Sequence, residues 1–228
     1  MTTMTKDRKL VIIGDSAFAE VAYEYFTHDS CYEVVGFSVE SAYLQKTQMF
    51  GLPVVPFESI ESHFAPGEVD FYAALVYSQL NRLRTRLYRQ AKAKGYAPAS
   101  YVSSRAFVWR NVQVGEHCFI FEDNTVQPFA SIGDNVVLWS GNHIGHHSRI
   151  HDNCFVSSHV VVSGFTEIGA NSFLGVNAAI ANNLVVGPDN WIGPGVCIAK
   201  DTGPAQLIRV EQPEPAKVST LRFFKVKE

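Results

Sequence analysis

Between Ala106 and Asp201 a branched aliphatic residue recurs at every sixth position, from Val108, Val114 and Ile120 through to Ile192 and Ile198, without an insertion. Counted in blocks of six that open at Ala106, the third residue is Val, Ile or Leu in sixteen consecutive blocks. A period of six fits neither the 3.6-residue stripe of an amphipathic helix nor the alternation of a half-buried strand. Self-similarity at a fixed period marks a repeat architecture. A six-residue unit predicts a β-helix with three blocks per coil and the third position facing inward. Position four is glycine in Gly115, Gly133, Gly145, Gly169, Gly175, Gly187 and Gly193, which reads as a corner of positive φ. Position six is Asn or Asp in Asn135, Asn153, Asn171, Asn183 and Asp189, residues that tolerate left-handed backbone. Each coil touches only its neighbours, so the stack needs covering at its ends.

The pattern before the repeat is different. Lys9–Gly14 is a short apolar run closed by glycine, a buried strand. Ala17–Thr27 places Phe18, Val21, Ala22, Tyr25 and Phe26 at helical spacing, and Tyr32–Val39 is the next strand. Strand, glycine turn, helix and strand within about 30 residues make a βαβ unit with parallel pairing. Val54–Phe57 and Asp70–Tyr77 read as further strands, with a short helix at Glu58–His63 between them. Asn81–Lys94 is helical: Leu83, Leu87 and Ala91 form the inner face, and Arg82, Arg84, Arg86, Arg89, Lys92 and Lys94 a solvated outer one. Residues 1–8 read as a disordered leader. The expected division is a small α/β domain over 1–104, with the N-terminal layers over one end of the coil, the β-helix over 105–201, and a tail over 202–228. The tail carries Pro204, Pro213 and Pro215 and then Leu221–Val226, and is expected to fold back as an extended segment over the other end.

Composition narrows the function classes. Of 228 residues, 46% are hydrophobic and 18% charged, enough for a sizeable core. The formal net charge is −3, so no global basic field attracts nucleic acid or acidic membrane. No apolar run approaches the roughly 18 residues of a membrane span, and Met1–Lys9 has no apolar signal core. A cytoplasmic protein is expected. Cys118 and Cys154 each open a block 36 residues apart, hence two coils apart. Two strand spacings are roughly 9–10 Å, beyond the ~7 Å Cα reach of a disulfide. With Cys31 and Cys197 they are expected to be four buried free thiols.

Two stretches carry candidate chemistry. The first turn, Gly14-Asp15-Ser16-Ala17-Phe18-Ala19, lacks the second and third glycines of a dinucleotide fingerprint, which argues against NAD. A helix N-terminus still suits an anion or a sugar hydroxyl. The second stretch is richer: five of the eight histidines, His143, His146, His147, His151 and His159, lie within 17 residues. Ile144 and Ile150 face inward, so His146 and His147 fall at an outward corner where core packing does not explain them. A neutral imidazole there can act as general base at neutral pH. The competing chemistry is a metal site, since His146 and His151 are five apart. That spacing is similar to two zinc ligands of left-handed β-helix carbonic anhydrases, but the place of the third ligand falls near Arg110, leaving the set incomplete.

Taken together, the unbroken sixes, this corner, the closing stretch Gly193–Asp201 and the terminal Pro215-Ala-Lys217 resemble the bacterial sugar O/N-acyltransferases of the left-handed β-helix superfamily. The sialic-acid O-acetyltransferase-like and bacillosamine-pathway N-acetyltransferase group is the most similar. The resemblance implies a Rossmann-like nucleotide-sugar-binding domain, a left-handed β-helix, a homotrimer with active sites between subunits, and acetyl-CoA as co-substrate with no metal. It places the catalytic base at His146 and puts His147 where the family often has an acidic partner. Acetyl-CoA contacts would fall at Phe155, Gly164, Val176 and Pro194. Phe155 stands where the family has a second histidine, so His143 or His159 is left to supply that contact. Substrate contacts would fall at Ser16, Ala17, Phe18 and Ser38, with His143 beside the base. The implied reaction is direct acetyl transfer to the amino group of a nucleotide-linked deoxysugar. O-acetylation of a sialic-acid-type sugar is the alternative, and a zinc-dependent hydratase the alternative of another class.

Overall fold

The computed structural model describes residues 5–226. The chain opens with strand β1 (Arg8–Ile13), helix α1 (Ala17–His28), strands β2 (Tyr32–Val39), β3 (Gln48–Met49), β4 (Leu52–Pro56) and β5 (Asp70–Ala73), and helix α2 (Arg82–Ala93). The sheet order is β3-β4-β2-β1-β5, parallel except for the short edge strand β3. In-register parallel neighbours share a face. Leu10, Ile12, Phe37, Val54 and Tyr72 therefore pack on the α1 side, and Val11, Ile13, Val55 and Phe71 on the side of α2 and the 3₁₀ turn Phe57–Ser62. Of the expected leader, residues 1–4 lie outside the described residues. Residues 6–8 are tied down: the Lys6 ammonium donates to the carbonyls of Phe26 and Ser30, and the Asp7 N–H to that of Cys31.

The sixfold period becomes three parallel sheets of two-residue strands, with partners eighteen residues apart within the repeat: Thr125 with His143, His143 with Val161, Phe155 with Phe173. The first sheet runs from Phe107–Val108 to Cys197–Ile198 and the second from Gln113–Val114 to Val185–Val186. The third begins earlier and ends later than the 105–201 reading, from Tyr101–Val102 to Leu207–Ile208. Position three fills the prism: Ile120, Val126, Ile144, Ile168 and Ile192 are fully buried.

Position six is left-handed from His117 through Gly195, including Asn135 (φ 55°), His147 (φ 59°) and Asp189 (φ 62°). Position four is not, which corrects the reading of its glycines. They are needed because successive coils nearly touch there: a Cβ on Gly145 would lie 2.6 Å from the Gly164 nitrogen, and one on Gly175 2.6 Å from that of Pro194.

Three expectations about packing also change. The N-terminal layers lie along the flank of the third sheet, against Phe119, Val137, Phe155 and Phe173, rather than across an end. Only the start of the tail lies against the last coil, Thr202 bridging Val186 and Leu207–Ile208 pairing with Trp191–Ile192; residues 209–226 are exposed throughout, with a short helix at Thr220–Phe223. The thiols are not all buried. Cys118 and Cys154 are, and burial pushes both up to about 12, but Cys31 is half-buried and Cys197 exposed.

Candidate active site

The three-block coil sends consecutive corners to different edges of the prism, so side chains stack only at separations of eighteen. The histidine-rich stretch is therefore dispersed. His146 and His147 share the edge between the first and second sheets. His159 stands on the edge between the third and first sheets, where its ring occupies the space a Cβ on Gly141 would need. His143 is half-buried on the first sheet, between Thr125 and Val161. His151 begins the turn after the second sheet, its Nε2 3.5 Å from a Glu167 carboxylate oxygen. Among the described residues no three His, Cys, Asp or Glu side chains come together in a geometry that could hold a metal. The His146–His151 pair that motivated the zinc reading is thus split between two places.

What assembles instead is a column at position six. Phe129, His147 and Phe165 are exposed and stack in successive coils, with ring centroids 4.7 Å apart at both steps and interplanar angles of 24° and 14°. The His147 N–H donates to the Pro128 carbonyl, which fixes its backbone. His146 stands beside this column. Its N–H donates to the Gln127 Oε1 (3.0 Å), its carbonyl accepts from the Phe165 N–H (3.0 Å), and its ring meets Phe165 edge-on at 5.1 Å. The two imidazoles are linked by an Nδ1···Nδ1 contact of 3.1 Å. Gly164 makes room for the other nitrogen: a Cβ there would lie 2.9 Å from the His146 Cε1 and 3.0 Å from its Nε2. An exposed imidazole held through its backbone and Nδ1, with Nε2 beside a side-chain-free residue, can take a proton from an incoming nucleophile. The Gly164 N–H has no acceptor among the described residues and is available to a ligand. Gln127, Phe129 and Phe165 were not singled out from the sequence. The signal was present, since Phe129 and Phe165 lie eighteen residues before and after His147.

The remaining candidates divide. Val176 and Pro194 are exposed and stacked one coil apart on the edge between the third and first sheets, one edge away from His146 in the same chain. Phe155 is corrected. It is 3% exposed, sits between Phe173 and Trp139 on the third sheet with the Arg84 guanidinium over its ring, and is closed in by the N-terminal layers. It has no surface to offer a thioester. Phe18 is corrected likewise: at 2% exposure its ring packs on Phe119 (5.6 Å) and Trp139 (5.3 Å), joining the two parts of the chain. Ser38 is fully buried in register with Ile13 and Val55, on the sheet face opposite α1, so it does not meet Ser16 or Ala17. Its Oγ has no partner among the described residues. Ser16 and Ala17 remain exposed at the start of α1, where Ser16 is the N-cap without a side-chain capping bond.

The N-terminal layers are clamped to the coil by two groups the sequence reading left aside. His117 Nε2 accepts the Ala73 N–H (2.8 Å), so its Nδ1 carries the proton donated to Asn135 Oδ1 (2.9 Å). Arg84 does not belong to a solvated face. It is 0% exposed and donates to Asn135 Oδ1 and to the carbonyls of Asn135, Asn153 and Cys154. Burial lowers its pKa.

Comparison with known proteins follows the same lines. The family model of the bacterial transferase hexapeptide, six repeats, matches residues 129–164, the segment that carries Phe129, His146 and His147 and ends one residue before Phe165. No curated protein matches the chain. Among solved structures, a histidine-to-asparagine variant of perosamine N-acetyltransferase from Caulobacter crescentus, in complex with CoA and GDP-perosamine, superposes with a TM-score of 0.77 at 22% identity, over 88% of this chain and 93% of that one. The acetyltransferase domain of PglB from Neisseria gonorrhoeae, in complex with acetyl coenzyme A, superposes at 0.76 and 21% identity, over 88% and 95%. Residues 129–164 thus match the bacterial transferase hexapeptide model, and over 88% of its length the chain shares the fold of these acetyltransferases.

Proposed function

We propose that the chain transfers the acetyl group of acetyl-CoA to the amino group of a nucleotide-linked deoxysugar, as a cytoplasmic homotrimer with its active sites between subunits. The observation that carries this reading is His146, an exposed imidazole fixed at Nδ1 and presenting Nε2 beside the bare backbone of Gly164. Solved structures of the same fold are acetyltransferases holding CoA with GDP-perosamine, or acetyl coenzyme A. In the proposed reaction the amine nitrogen bonds to the acetyl carbon and the carbon–sulfur bond breaks. The amine proton passes to His146 Nε2 and then to the departing sulfur. The Gly164 N–H is placed to donate to the oxygen that gains negative charge. Cys118 and Cys154 are buried and protonated at neutral pH, which favours direct transfer over an acyl-cysteine.

Trimer packing would bring the Val176 and Pro194 edge of one subunit to the His146 edge of the next, joining the acetyl-CoA contacts to the base. Pro194 has no N–H and would offer its carbonyl or ring. The α/β layers then act as a Rossmann-like nucleotide-sugar-binding domain over about 1–104. The Ala17 and Phe18 N–H groups at the start of α1 have no acceptor among the described residues and suit a phosphate or ribose hydroxyl. His143 faces outward on the sheet between the two edges, within reach of the sugar.

The test is release of free CoA thiol from acetyl-CoA over a panel of nucleotide-linked amino sugars, with free sialic acid as a hydroxyl acceptor. His146→Asn should lower kcat by about 10³-fold at unchanged thermal stability, within the range of general-base catalysis. Wild-type protein that consumes acetyl-CoA with no amino sugar would overturn the reading. Turnover with sialic acid alone would move it to the hydroxyl.

A further inference from the structure

The residue after the base is a histidine with no carboxylate near it, and its surroundings are unusually well defined. His147 stands in left-handed backbone, its N–H held by Pro128 and its ring sandwiched by Phe129 and Phe165. Its orientation is set without reference to His146. The only polar link between the two rings is Nδ1 to Nδ1 at 3.1 Å, a bond that carries one proton. If His147 donates, His146 keeps its proton on Nε2 and cannot act as base. If His146 donates, its lone pair sits on Nε2, beside Gly164.

We propose that His147 is the positioning residue of this site: clamped between two phenyl rings, its neutral imidazole accepts the His146 Nδ1–H and holds the base in its Nε2-unprotonated tautomer. The proposal rests on His146 being the base. Neutral imidazole replaces the carboxylate that usually orients a catalytic histidine, and this has a consequence for pH. A carboxylate stabilises the imidazolium and raises the pKa of its partner, so the acid limb of activity moves to higher pH. A neutral partner gives no such stabilisation. The ionisable side chains nearest in sequence and register are His143 and Arg149 on the same coil and Glu167 one coil above, in register with Arg149 on the second sheet; among the described residues the corner itself has none in the adjoining coils. Below lie Gln127, Pro128 and Phe129, and above lie Gly164, Phe165 and Thr166. On the same edge Arg110 is two coils below, and Lys200 and Asp201 are three coils above, beyond about 9 Å at the strand spacing.

The repeat supplies well-behaved variants. Phenylalanine occupies this left-handed position in both neighbouring coils, and aspartate at Asp123 and Asp189, so His147→Phe and His147→Asp are compatible with the backbone. His147→Phe keeps the stack and removes the acceptor. ¹⁵N-detected NMR of the imidazoles in full-length protein, assigned with His146→Asn, reads the tautomer without any substrate. Wild type should show His146 as the Nδ1–H form above its titration, and His147→Phe a mixture of tautomers. Turnover in His147→Phe should fall about 10- to 100-fold, as for other groups that orient a reactive imidazole, with KM for acetyl-CoA unchanged. His147→Asp should restore it, with the acid limb of kcat/KM moved up by about 1 pH unit. An Nε2–H tautomer at His146 in wild type, or His147→Phe leaving tautomer and turnover as they were, would overturn the proposal. If no acetyl acceptor is found, the acetyl-transfer reading fails while the NMR still decides the tautomer.

Discussion

His117 and His147 occupy the same position of the hexapeptide, with φ of 56° and 59°, yet do opposite things. His147 stands in water on the edge between the first and second sheets, between two exposed phenyl rings. His117 stands on the next edge, fully buried, stacked 4.6 Å from Tyr72 and bonded at both nitrogens. Burial, with a smaller opposing contribution from Asn135, pushes its pKa down to about 3. The repeat dictates backbone and direction at position six. What covers the edge decides whether a histidine there is an exposed imidazole or a buried neutral peg. On the covered edge the column continues as a ladder, Asn135 to Asn153 and Asn153 to Asn171 at 2.9 and 3.1 Å. Asparagine suits both demands, left-handed φ and hydrogen bonds along the stack.

The hardest way to break this contrast is to uncover the buried edge. Arg84→Met keeps most of the side-chain volume but strips donors from Asn135 Oδ1 and from the carbonyls of Asn135, Asn153 and Cys154, all of them buried. Asn135 Oδ1 keeps His117 and the Cys154 carbonyl keeps the Val137 N–H, which leaves the Asn135 and Asn153 carbonyls unsatisfied; at about 1–3 kcal/mol for each where the site cannot admit water, a net loss of about 3 kcal/mol is expected. Denaturant unfolding should show it, with the N-terminal layers becoming protease-sensitive before the coil. A loss below about 1 kcal/mol would mean that Arg84 is a passenger in the interface.

A smaller perturbation is acid. His117 has an ordinary pKa near 6.5 when unfolded and about 3 when folded. A depressed base binds fewer protons in the native state, so its contribution to stability is complete above about pH 6.5 and is lost as pH falls toward 3. At pH 5 the loss should be about 2 kcal/mol, from about 1.4 kcal/mol per unit. Stability measured from pH 7.5 to 5 should fall with that slope, and His117→Phe should flatten it. An equal slope in both proteins would assign the acid sensitivity elsewhere.

The two edges also show what was legible in advance. The coil was, because an inward aliphatic every six residues has no other structural reading. The exposed His146–His147 edge was, because outward histidines at a corner are not needed for packing. The covered edge was not. Arg84 lies at helical spacing from Tyr88 and Ala91, but a surface of backbone carbonyls leaves no hydrophobic mark in the sequence opposite it. Phe18 and Phe155 were misplaced for a related reason: an aromatic side chain serves a ligand or a domain interface equally well, and only the fold distinguishes them. The position-four glycines were correctly noticed and wrongly explained, since positive φ and close approach both select glycine. The five histidines seemed clustered because chain proximity was taken for spatial proximity, although a coil of three blocks already separates residues six apart.

The finest cut lies between two glycines of one coil-to-coil contact. A Cβ on Gly145 would press on backbone, 2.6 Å from the Gly164 nitrogen and 2.7 Å from the Ser163 carbonyl carbon. Gly145→Ala must therefore shift a coil and lose stability. The three atoms nearest a Cβ on Gly164 all belong to the His146 ring, at 2.9–3.3 Å, and an exposed ring can turn. Gly164 is not in left-handed backbone, so alanine brings no strain of its own. Gly164→Ala should keep its Tm within about 2 °C of wild type, consistent with a change well under 1 kcal/mol. Turnover should nevertheless fall about tenfold, because sub-ångström misplacement of a general base weakens proton transfer. The pair separates what the repeat needs from what the chemistry needs. Equal loss of Tm in both variants would mean that the ring cannot move and that His146 is part of the packing. An unchanged rate in Gly164→Ala would mean that the space beside Nε2 is not where the nucleophile arrives.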